Sequence, residues 1–375
     1  MHQITRRGFL HRTAHGFLAF AWGWVMSACG PRVTPTPTTT GGRAATPTAV
    51  APILPTPTAP PPTAIAEATA TPATPLRRPT PSPTLPTATP VATVVPPTPA
   101  APARGYPDLV VARGGEPEEL VRRALAALGG MERFVKRGDD VIVKPNICNA
   151  YHTYEYASTT NPWVVGALVR LALEAGARRV RVMDYPFGGS PEEAYVRSGI
   201  QEQVKAAGGQ MEIMSGLRFI KTKIPQAQSL RECEIYEDVL KADVVINVSI
   251  AKHHNLARLT LGMKNLMGVI RDRPALHSNL GQRLADLTGR IRPALTVVDA
   301  VRILVANGPT GGNLDDVKKL DTVIVSPDIV AADAYAATLF GLQPNDLAYV
   351  RAGTAAGLGR SDLQHLTIEE LTVGA

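Results

Sequence analysis

Cysteine is scarce in this 375-residue chain, which contains three. They are Cys29, Cys148 and Cys233, and no C-x-x-C pair or longer cysteine ladder occurs. We therefore expect no iron–sulfur cluster ligated by this chain and no zinc knuckle. Cys148 and Cys233 are candidates for one disulfide in an oxidising compartment, but sequence alone does not show whether they meet.

Motifs of several common enzyme classes are also missing. The chain has no G-x-G-x-x-G, no G-x-S-x-G and no H-E-x-x-H, and no glycine-rich segment continues into the Gly-Lys-Ser/Thr of a Walker loop. Nucleotide-binding, serine-hydrolase and zinc-peptidase functions therefore lose their usual sequence support. No segment recurs with a period of about 20–50 residues, which excludes a repeat protein.

The whole sequence carries a net charge of +7, but residues 104–375 contribute little of it. Residues 1–28 contribute +3 and residues 29–103 another +3, which leaves +1 for residues 104–375. A nucleic-acid-binding surface needs basic residues clustered on the folded domain. We therefore expect no nucleic-acid partner.

The N-terminal segment has the features of an export signal. Arg6 and Arg7 lie in TRRGFL, which resembles a twin-arginine signal, and an apolar run over residues 16–28 follows that is too short to span a bilayer comfortably. The run ends in VMSAC, which resembles a bacterial lipobox and implies a mature chain lipidated at Cys29. The alternative is an uncleaved apolar anchor.

Either interpretation predicts that the rest of the chain is exported by the twin-arginine route. The expected location is the outer face of the cytoplasmic membrane, with a lipid anchor at Cys29, or the periplasm. The export machinery and membrane lipid are then partners.

Proline is concentrated in one segment, since 21 of the 33 prolines lie between Pro31 and Pro102, mixed with threonine and alanine. Such a segment buries too little apolar surface to offset its ordering entropy, so it predicts a disordered tether. The predicted organisation is a signal peptide over residues 1–28, a Pro/Thr-rich linker over residues 29–103 and a folded domain over residues 104–375.

The folded part alternates between apolar strand-like runs and helical patterns. This alternation predicts an α/β fold, with a layered, mostly parallel sheet and helices on both faces. The predicted strands cover residues 109–112, 141–144, 180–184, 243–248, 295–299, 322–326 and 365–371. The predicted helices cover residues 117–128, 161–175, 280–290, 328–340 and 345–356, and another begins at the capping box that Ser190 opens.

Polar residues follow five of the predicted strands. They are Lys144, Asp184, Asn247, Asp299 and Ser326 with Asp328. In open parallel sheets, ligands bind beyond the carboxyl ends of the strands. These ends therefore predict a single cleft, and the segment NVSIAKHHNLARLTLGMKN over residues 247–265 gives it the lysines and histidines expected of a site for an anionic or metal-bound small molecule.

Four short patterns occur together within residues 108–345. They are Lys144-Pro145-Asn146, Lys252-x-His254-x5-Thr260-x3-Lys264-Asn265-x2-Gly268, Asp299 with Asn307-Gly308-Pro309, and Asp328-x4-Asp333. These patterns resemble the bacterial and archaeal family called domain of unknown function 362, and the second is the most specific. The family is named for its lack of an assigned reaction. Some relatives carry a ferredoxin-like module, so the resemblance implies a link to redox chemistry, but the cysteines of such a module are not in this sequence.

The lysines and amides of these patterns are candidates for binding a small phosphate- or carboxylate-bearing ligand. The alternative for each lysine is that it ends a strand or neutralises an aspartate. The glycine-rich loop at residues 307–312 is expected to offer backbone N–H groups to the anion. The candidate ligand-binding residues are Lys144, Asn146, Asn247, Lys252, Thr260, Lys264, Asn265, Asn307 and Gly308.

His254 and Asp299 are the candidate catalytic residues. His254, on a predicted loop, would act as a general acid or base, with Asp299 orienting it. A divalent metal bound by Asp184, Asp299 and His254 is a further possibility. The alternatives are a surface histidine and aspartates that cap turns, and the neighbouring His253 falls outside the family pattern.

Two functions remain open at this point. The domain is an enzyme acting on a small anionic substrate, with or without a metal or a redox link, or it is a tethered binding protein without catalysis. In either case the loop at residues 185–189, YPFGG, is expected to cover the ligand.

Overall fold

The computed structural model describes residues 105–374. The predicted export signal with Arg6 and Arg7, the lipidation site Cys29 and the predicted linker lie outside the described residues. Within the described part, no helix is long and apolar enough to cross a bilayer.

Eleven strands and nine α-helices form the described part of the chain. The strands are β1 Leu109–Arg113, β2 Asp140–Lys144, β3 Arg179–Val182, β4 Gln210–Met211, β5 Phe219–Lys223, β6 Glu232–Tyr236, β7 Val244–His254, β8 Arg258–Thr260, β9 Leu295–Leu304, β10 Val317–Ser326 and β11 Ile368–Thr372. The helices are α1 Pro117–Ala127, α2 Pro162–Glu174, α3 Pro191–Arg197, α4 Ile200–Ala206, α5 Glu237–Lys241, α6 Gly262–Asn265, α7 Leu280–Ile291, α8 Ile329–Thr338 and α9 Ala348–Ala355.

The main sheet has nine strands in the order β11-β1-β10-β9-β7-β2-β3-β4, with β8 paired to β7. The pairs β7–β9, β2–β7, β2–β3, β3–β4 and β1–β11 are parallel. A separate antiparallel hairpin is formed by β5 and β6. The prediction of a mostly parallel α/β sheet is confirmed.

Helices cover both faces of this sheet because the central strands are apolar on both sides. In β2, Val141 and Val143 pack in one cluster with α1, α2 and α4, whereas Ile142 packs in the other with α7, α8 and α9. Strands buried on both faces are typical of sheets covered by helices on each side. This layering leaves the carboxyl edge of β2, β3 and β7 as the place where polar side chains can gather.

One of the five predicted strand ends does not lie at this edge. Strand β10 runs antiparallel to both β9 and β1, so its carboxyl end, with Ser326 and Asp328, lies at the opposite edge. The chain returns from β9 to β10 through residues 305–316 without a crossover helix, and such a connection joins antiparallel strands. Asp328 instead caps α8, accepting hydrogen bonds from the N–H groups of Val330 and Ala331.

Two strands extend beyond their predicted ends. Strand β7 continues to His254, so the segment predicted as a loop is extended backbone, and its last residues pair with β8. Strand β9 continues to Leu304, so Asp299 lies within the strand. Buried polar residues such as Ser249 and Asp299 interrupt the apolar pattern, and the sequence therefore suggested earlier strand ends.

Cys148 and Cys233 are both free thiols, so the candidate disulfide is not formed. Cys148 is buried beside the candidate site, and Cys233 lies in β6 of the separate hairpin.

Candidate functional site

A small cavity of about 70 Å³ lies at the carboxyl edge of β2, β3 and β7. We call it the lysine cavity. Most of its polar lining comes from the patterns singled out in the sequence. The lining residues are Lys144, Asn146, Ile147, Cys148, Asp184, Tyr185, Phe187, Lys252, His254, Thr260, Lys264, Asn265, Met267, Gly268, Arg273 and Pro309.

Lys144 and Asp184 form a buried ion pair at the base of the lysine cavity. Nζ of Lys144 lies 2.9 Å from Oδ1 of Asp184, whose Oδ2 accepts a hydrogen bond from the N–H of Ile147 at 2.6 Å. Burial lowers the pKa of Lys144, and the Asp184 charge opposes that shift. Gly268 is packed against this pair so closely that a Cβ there would overlap Asp184 Oδ1.

Three asparagines link the lysines of the cavity. Oδ1 of Asn265 accepts hydrogen bonds from Lys144 Nζ at 2.8 Å and from Asn146 Nδ2 at 3.0 Å. Nδ2 of Asn265 donates to Oδ1 of Asn247, which lies behind the cavity wall and donates to the carbonyl of Gly262. Asn247 therefore orients Asn265 and does not line the cavity itself.

Lys252 projects from β7 and is held by oxygen atoms that carry no full charge. Its Nζ donates to Asn146 Oδ1 at 3.0 Å, to the carbonyl of Ser158 at 2.6 Å and to the carbonyl of Pro309 at 3.0 Å. An ammonium group has three donors, and these contacts use all of them. Lys252 is fixed in place, but its charge is not neutralised by a carboxylate.

Lys264 is different, because its ammonium group has no hydrogen bond or ion pair with any described residue. It projects from α6 into the lysine cavity and is 9% exposed. Burial lowers its pKa to about 7, and the charges of Lys252, Arg273 and Lys144 act in the same direction. A buried charge without a partner is costly, so its position indicates a ligand-binding role.

The position of Lys264 is fixed by an aspartate on another helix. Asp333 in α8 accepts hydrogen bonds from the N–H groups of Gly262 at 2.6 Å and Met263 at 2.9 Å, which are the first two residues of α6. Burial raises the pKa of Asp333 to about 7. A Cβ at Gly262 would meet Asp333 Oδ1 at 2.8 Å, so glycine permits this close approach.

His254 ends β7 and lines the lysine cavity. Its Nδ1 accepts hydrogen bonds from the N–H groups of Leu256 at 3.1 Å and Ala257 at 3.3 Å, so in the neutral ring the proton is on Nε2. Burial is the main reason that the pKa of His254 is lowered to about 3, and the positive charges of Lys264 and Lys252 lower it further. His254 is therefore a neutral hydrogen-bond donor at physiological pH, which favours a role in holding an anion over a role in proton transfer.

Four of the lining residues were not among the named positions of any pattern or loop singled out in the sequence. Arg273 contributes a half-buried guanidinium that stacks 4.8 Å from the centre of the Tyr185 ring and donates to the carbonyl of Pro186. Burial lowers the pKa of Arg273. Cys148 follows the Lys144-Pro145-Asn146 pattern closely, which was a usable signal, whereas no pattern marked Arg273, Ile147 or Met267.

Asp299, Asn307 and Gly308 do not line the lysine cavity. Asp299 accepts hydrogen bonds from the N–H groups of Asn161 at 2.7 Å and Val301 at 3.0 Å, and burial raises its pKa to about 7. Asn307 Nδ2 donates to Asp316 Oδ2 at 2.8 Å. Asp299 thus holds backbone N–H groups, Asn307 holds another side chain, and no hydrogen bond joins Asp299 to His254 among the described residues.

The loop at residues 307–312 presents a carbonyl to the cavity where N–H groups were expected. The N–H of Gly308 donates to His253 Nδ1 at 3.1 Å, and Pro309 offers its carbonyl to Lys252. A Cβ at Gly308 would overlap the carbonyl oxygen of His253. The loop therefore anchors the end of β7, and His253 acts in that anchoring outside the cavity.

The tentative metal ligands do not come together. Among the described residues, no group of three or more His, Cys, Asp or Glu side chains is placed to hold a metal ion. Asp184 is paired with Lys144, and Asp299 is satisfied by backbone N–H groups. The structure therefore does not bring Asp184, Asp299 and His254 together as one set of ligands.

The loop at residues 185–189 lies against the cavity, as expected for a cover. Tyr185 and Phe187 line the cavity, and the N–H of Phe187 donates to the carbonyl of Cys148 at 3.0 Å. Phe187 is 54% exposed, so its ring lies between the cavity lining and the surface.

A family model described as Domain of unknown function (DUF362) matches residues 141–338. The chain belongs to this family. The matched region contains the whole lining of the lysine cavity and also Asp333, which caps α6.

The chain is also similar to a thylakoid-associated protein of Synechocystis sp., with 28% identity over 247 residues. The alignment covers 64% of this chain and 74% of the relative.

Two solved structures align with part of the chain. The lactate racemase apoprotein from Thermoanaerobacterium thermosaccharolyticum aligns with a TM-score of 0.38 and 12% identity over 57% of this chain and 53% of that chain. A structural-genomics protein from Thermotoga maritima aligns with a TM-score of 0.34 and 13% identity over 60% of each chain. The chain spans less than two thirds of either structure, and nothing about the site follows from these likenesses.

Proposed function

We propose that this domain is an enzyme that holds a small anionic substrate, bearing a carboxylate or a phosphate, in the lysine cavity. The observation that carries the proposal is the unpaired ammonium group of Lys264. Three lysines and Arg273 line the cavity against one carboxylate, that of Asp184. An anion in the cavity would supply the missing partner for Lys264 and offset the excess of positive charge.

The size of the cavity limits the substrate. A water-sized occupant needs roughly 10–15 Å³ of such space, so about 70 Å³ has room for about five or six non-hydrogen atoms. Phosphate, sulfate and two- or three-carbon carboxylates fit this limit. Nucleotides and sugar phosphates would extend past the loop at residues 185–189.

Two groups support catalysis in addition to binding. Burial lowers the pKa of Lys264 to about 7, so this lysine can gain and lose a proton near neutral pH. A lysine that only binds an anion has no need of this property, because a permanent positive charge is enough. His254 offers a neutral Nε2–H donor beside it, suited to an oxygen atom that gains negative charge during a reaction. Lys264 thus takes the proton-transfer role that the sequence suggested for His254.

Calorimetric titration of the purified protein with sulfate, phosphate, acetate and glyoxylate tests the binding step. We expect saturable binding of at least one anion by the wild type and by Lys205→Met, which removes an exposed lysine on α4. Lys264→Met should abolish it. The absence of binding for every anion in the wild type would remove the proposal.

The catalytic step needs a separate measurement. We expect proton or phosphorus NMR to show conversion of at least one small carboxylate or phosphate ester by the wild type and no conversion by Lys264→Met. Tight binding without conversion of any tested compound would instead support the second candidate, an extracytoplasmic binding lipoprotein that uses the same cavity.

We also propose that the domain acts outside the cytoplasm on a lipid anchor. The support is the TRRGFL segment with Arg6 and Arg7, and the VMSAC segment that ends at Cys29. Replacement of both arginines by lysine should retain the protein in the cytoplasm, and Cys29→Ala should move it from the membrane to the soluble fraction. An unchanged distribution in both variants would contradict the proposal.

A further inference from the structure

The three lysines of the lysine cavity have different bonding states. Lys144 donates to Asp184 and Asn265, and Lys252 donates to three oxygens. All three ammonium protons of Lys252 are held by acceptors, and Lys144 is paired with the Asp184 carboxylate, which favours its protonated form, so neither lysine is placed to offer a lone pair to a carbonyl carbon. Lys264, by contrast, has no acceptor among the described residues and projects into the cavity.

We propose that Lys264 forms an imine with the carbonyl group of a small 2-oxo acid bound in the lysine cavity. This inference rests on the proposed function and names its substrate class. A buried lysine beside other cations is the arrangement that activates an amine as a nucleophile. It requires no metal, oxidant or further reactant.

The covalent step is a condensation. The lone pair of neutral Lys264 Nζ attacks the carbonyl carbon, a C–N bond forms, and the carbonyl oxygen takes up one proton. The carbinolamine then loses its hydroxyl group with a second proton as water, leaving a C=N bond. The amine supplies both hydrogens of the released water, so the exchange balances without a change in oxidation state.

The surrounding groups suit the two ends of such a substrate. Arg273 makes one hydrogen bond to the described protein, from Nη2 to the Pro186 carbonyl, and its other N–H groups can hold a carboxylate. His254 Nε2–H and the hydroxyl of Thr260, which also lines the cavity, can donate to the carbonyl oxygen. A phosphate could accept hydrogen bonds from the same donors, but it has no carbonyl carbon for Lys264 to attack. We therefore choose an oxo acid over a phosphate.

The size limit points to the smallest members of this class. Glyoxylate and pyruvate contain about five and six non-hydrogen atoms, which matches the room estimated from the 70 Å³ cavity. Longer oxo acids would have to displace Phe187.

Reductive trapping tests the inference directly. The full-length protein is incubated at pH 7 with glyoxylate or pyruvate and cyanoborohydride, and the modified lysine is located by peptide mass mapping. A lowered pKa near 7 leaves roughly half of the Lys264 amine neutral at this pH, compared with on the order of one in 10³ for an ordinary exposed lysine. We expect Lys264 to gain one carboxymethyl or carboxyethyl group at least about tenfold faster than Lys205.

Three controls define the chemistry. Acetone, a carbonyl compound without a carboxylate, should label Lys264 much more slowly than pyruvate. Sulfate should slow the labelling of Lys264 and leave that of Lys205 unchanged. Lys264→Met should show no cavity label while keeping the wild-type circular dichroism spectrum, which confirms that the variant is folded.

The failure of this inference is distinguishable from that of the proposed function. If sulfate or glyoxylate binds in calorimetry but Lys264 is labelled no faster than Lys205, the imine is refuted and the anion site stands. Equal labelling of Lys264 by acetone and pyruvate would refute the oxo-acid assignment. If no anion binds and no label appears, both proposals fail together.

Discussion

Nζ of Lys144 lies 2.9 Å from Oδ1 of Asp184, and both side chains are almost completely buried. The pair joins the carboxyl ends of β2 and β3 under the floor of the lysine cavity. It is the cavity's one ion pair among the described residues. The charge of Lys144 is therefore already neutralised within the protein, whereas the charges of the other cavity lysines remain available to a ligand.

Removing one member of this pair should be costly. We expect Asp184→Asn to lower the free energy of unfolding by about 3–5 kcal/mol, because Lys144 would remain buried with Asn265 as its one strong acceptor. Glu174→Gln, which breaks the exposed pair with Arg122, should cost less than about 1 kcal/mol. Urea denaturation measures both, and equal losses would contradict the structural role.

Gly268 should tolerate no side chain. In Gly268→Ala the added Cβ would overlap Asp184 Oδ1 and lie 2.8 Å from Lys144 Cε, both of which are buried and fixed. We expect a loss of about 1–3 kcal/mol in unfolding free energy together with loss of anion binding. Gly216→Ala is the matched control because a Cβ there would have no neighbour within 4 Å. A similar small loss of stability in both variants would show that Asp184 and Lys144 can move to make room for the added Cβ.

Lys264→Met should stabilise the protein without ligand. Replacing a buried, unpaired ammonium group with an apolar side chain of similar size removes a desolvation cost, and we expect a gain of about 1–4 kcal/mol at pH 6. Lys205→Met should change stability little. Chemical denaturation measures both variants, and a stability lower than that of the wild type would show that Lys264 has a structural partner.

The gain in Lys264→Met should depend on pH. The folded-state pKa is lowered from 10.5 to about 7, so below pH 7 both folded and unfolded wild type carry the proton and the full cost is present. Between pH 7 and 10.5 the folded protein releases the proton first, and wild-type stability rises relative to the variant. Unfolding curves at pH 6, 8 and 10 should show a shrinking difference, and a constant difference would contradict the lowered pKa.

Sulfate affinity should fall as pH rises above 7. Sulfate does not titrate in this range, whereas free Lys264 has a pKa of about 7 and must take up a proton to pair with the anion. We expect the Kd to increase by up to about tenfold per pH unit. Calorimetry in buffers with different ionisation enthalpies should detect the proton uptake, and a pH-independent Kd would exclude Lys264 as the ligand's partner.

His254 should remain neutral between pH 5 and 8. Its pKa is lowered to about 3, first by burial and then by the lysine charges, and its Nδ1 is occupied as an acceptor. Stability from this neutral ring is present above pH 6.5 and is lost as pH falls towards 3, because the unfolded chain binds the proton first. Imidazole nitrogen NMR should show the Nε2–H form throughout, and a titration midpoint near 6.5 would contradict this environment.

The sequence located most of the site because its chemistry follows strand ends. Lys144, Asp184 and the lysines of residues 252–264 reach one edge because β2, β3 and β7 are parallel, which the alternation of helices and strands predicts. Local patterning does not specify a strand's direction when its connection is short, and so the antiparallel course of β10 was missed.

Residues brought in by tertiary packing were harder to predict. Arg273 reaches the cavity by stacking on Tyr185, far away in sequence, and nothing near Arg273 indicates that contact. Asp299 was misjudged for the opposite reason, because an aspartate after an apolar run fits both a strand end and a buried acceptor for backbone N–H groups. The hydrogen bond that Asp299 accepts from the N–H of Asn161 identifies it as a buried acceptor, and this contact is not visible in the sequence.

The contact between Asp333 and the first turn of α6 has a consequence for how the site comes into being. Lys264 is synthesised well before Asp333, so a nascent chain that ends between them carries the lysine without the anchor that aims it. The anion site is then completed only when α8 docks, and a chain truncated before residue 333 should lack sulfate binding even where its sheet has formed.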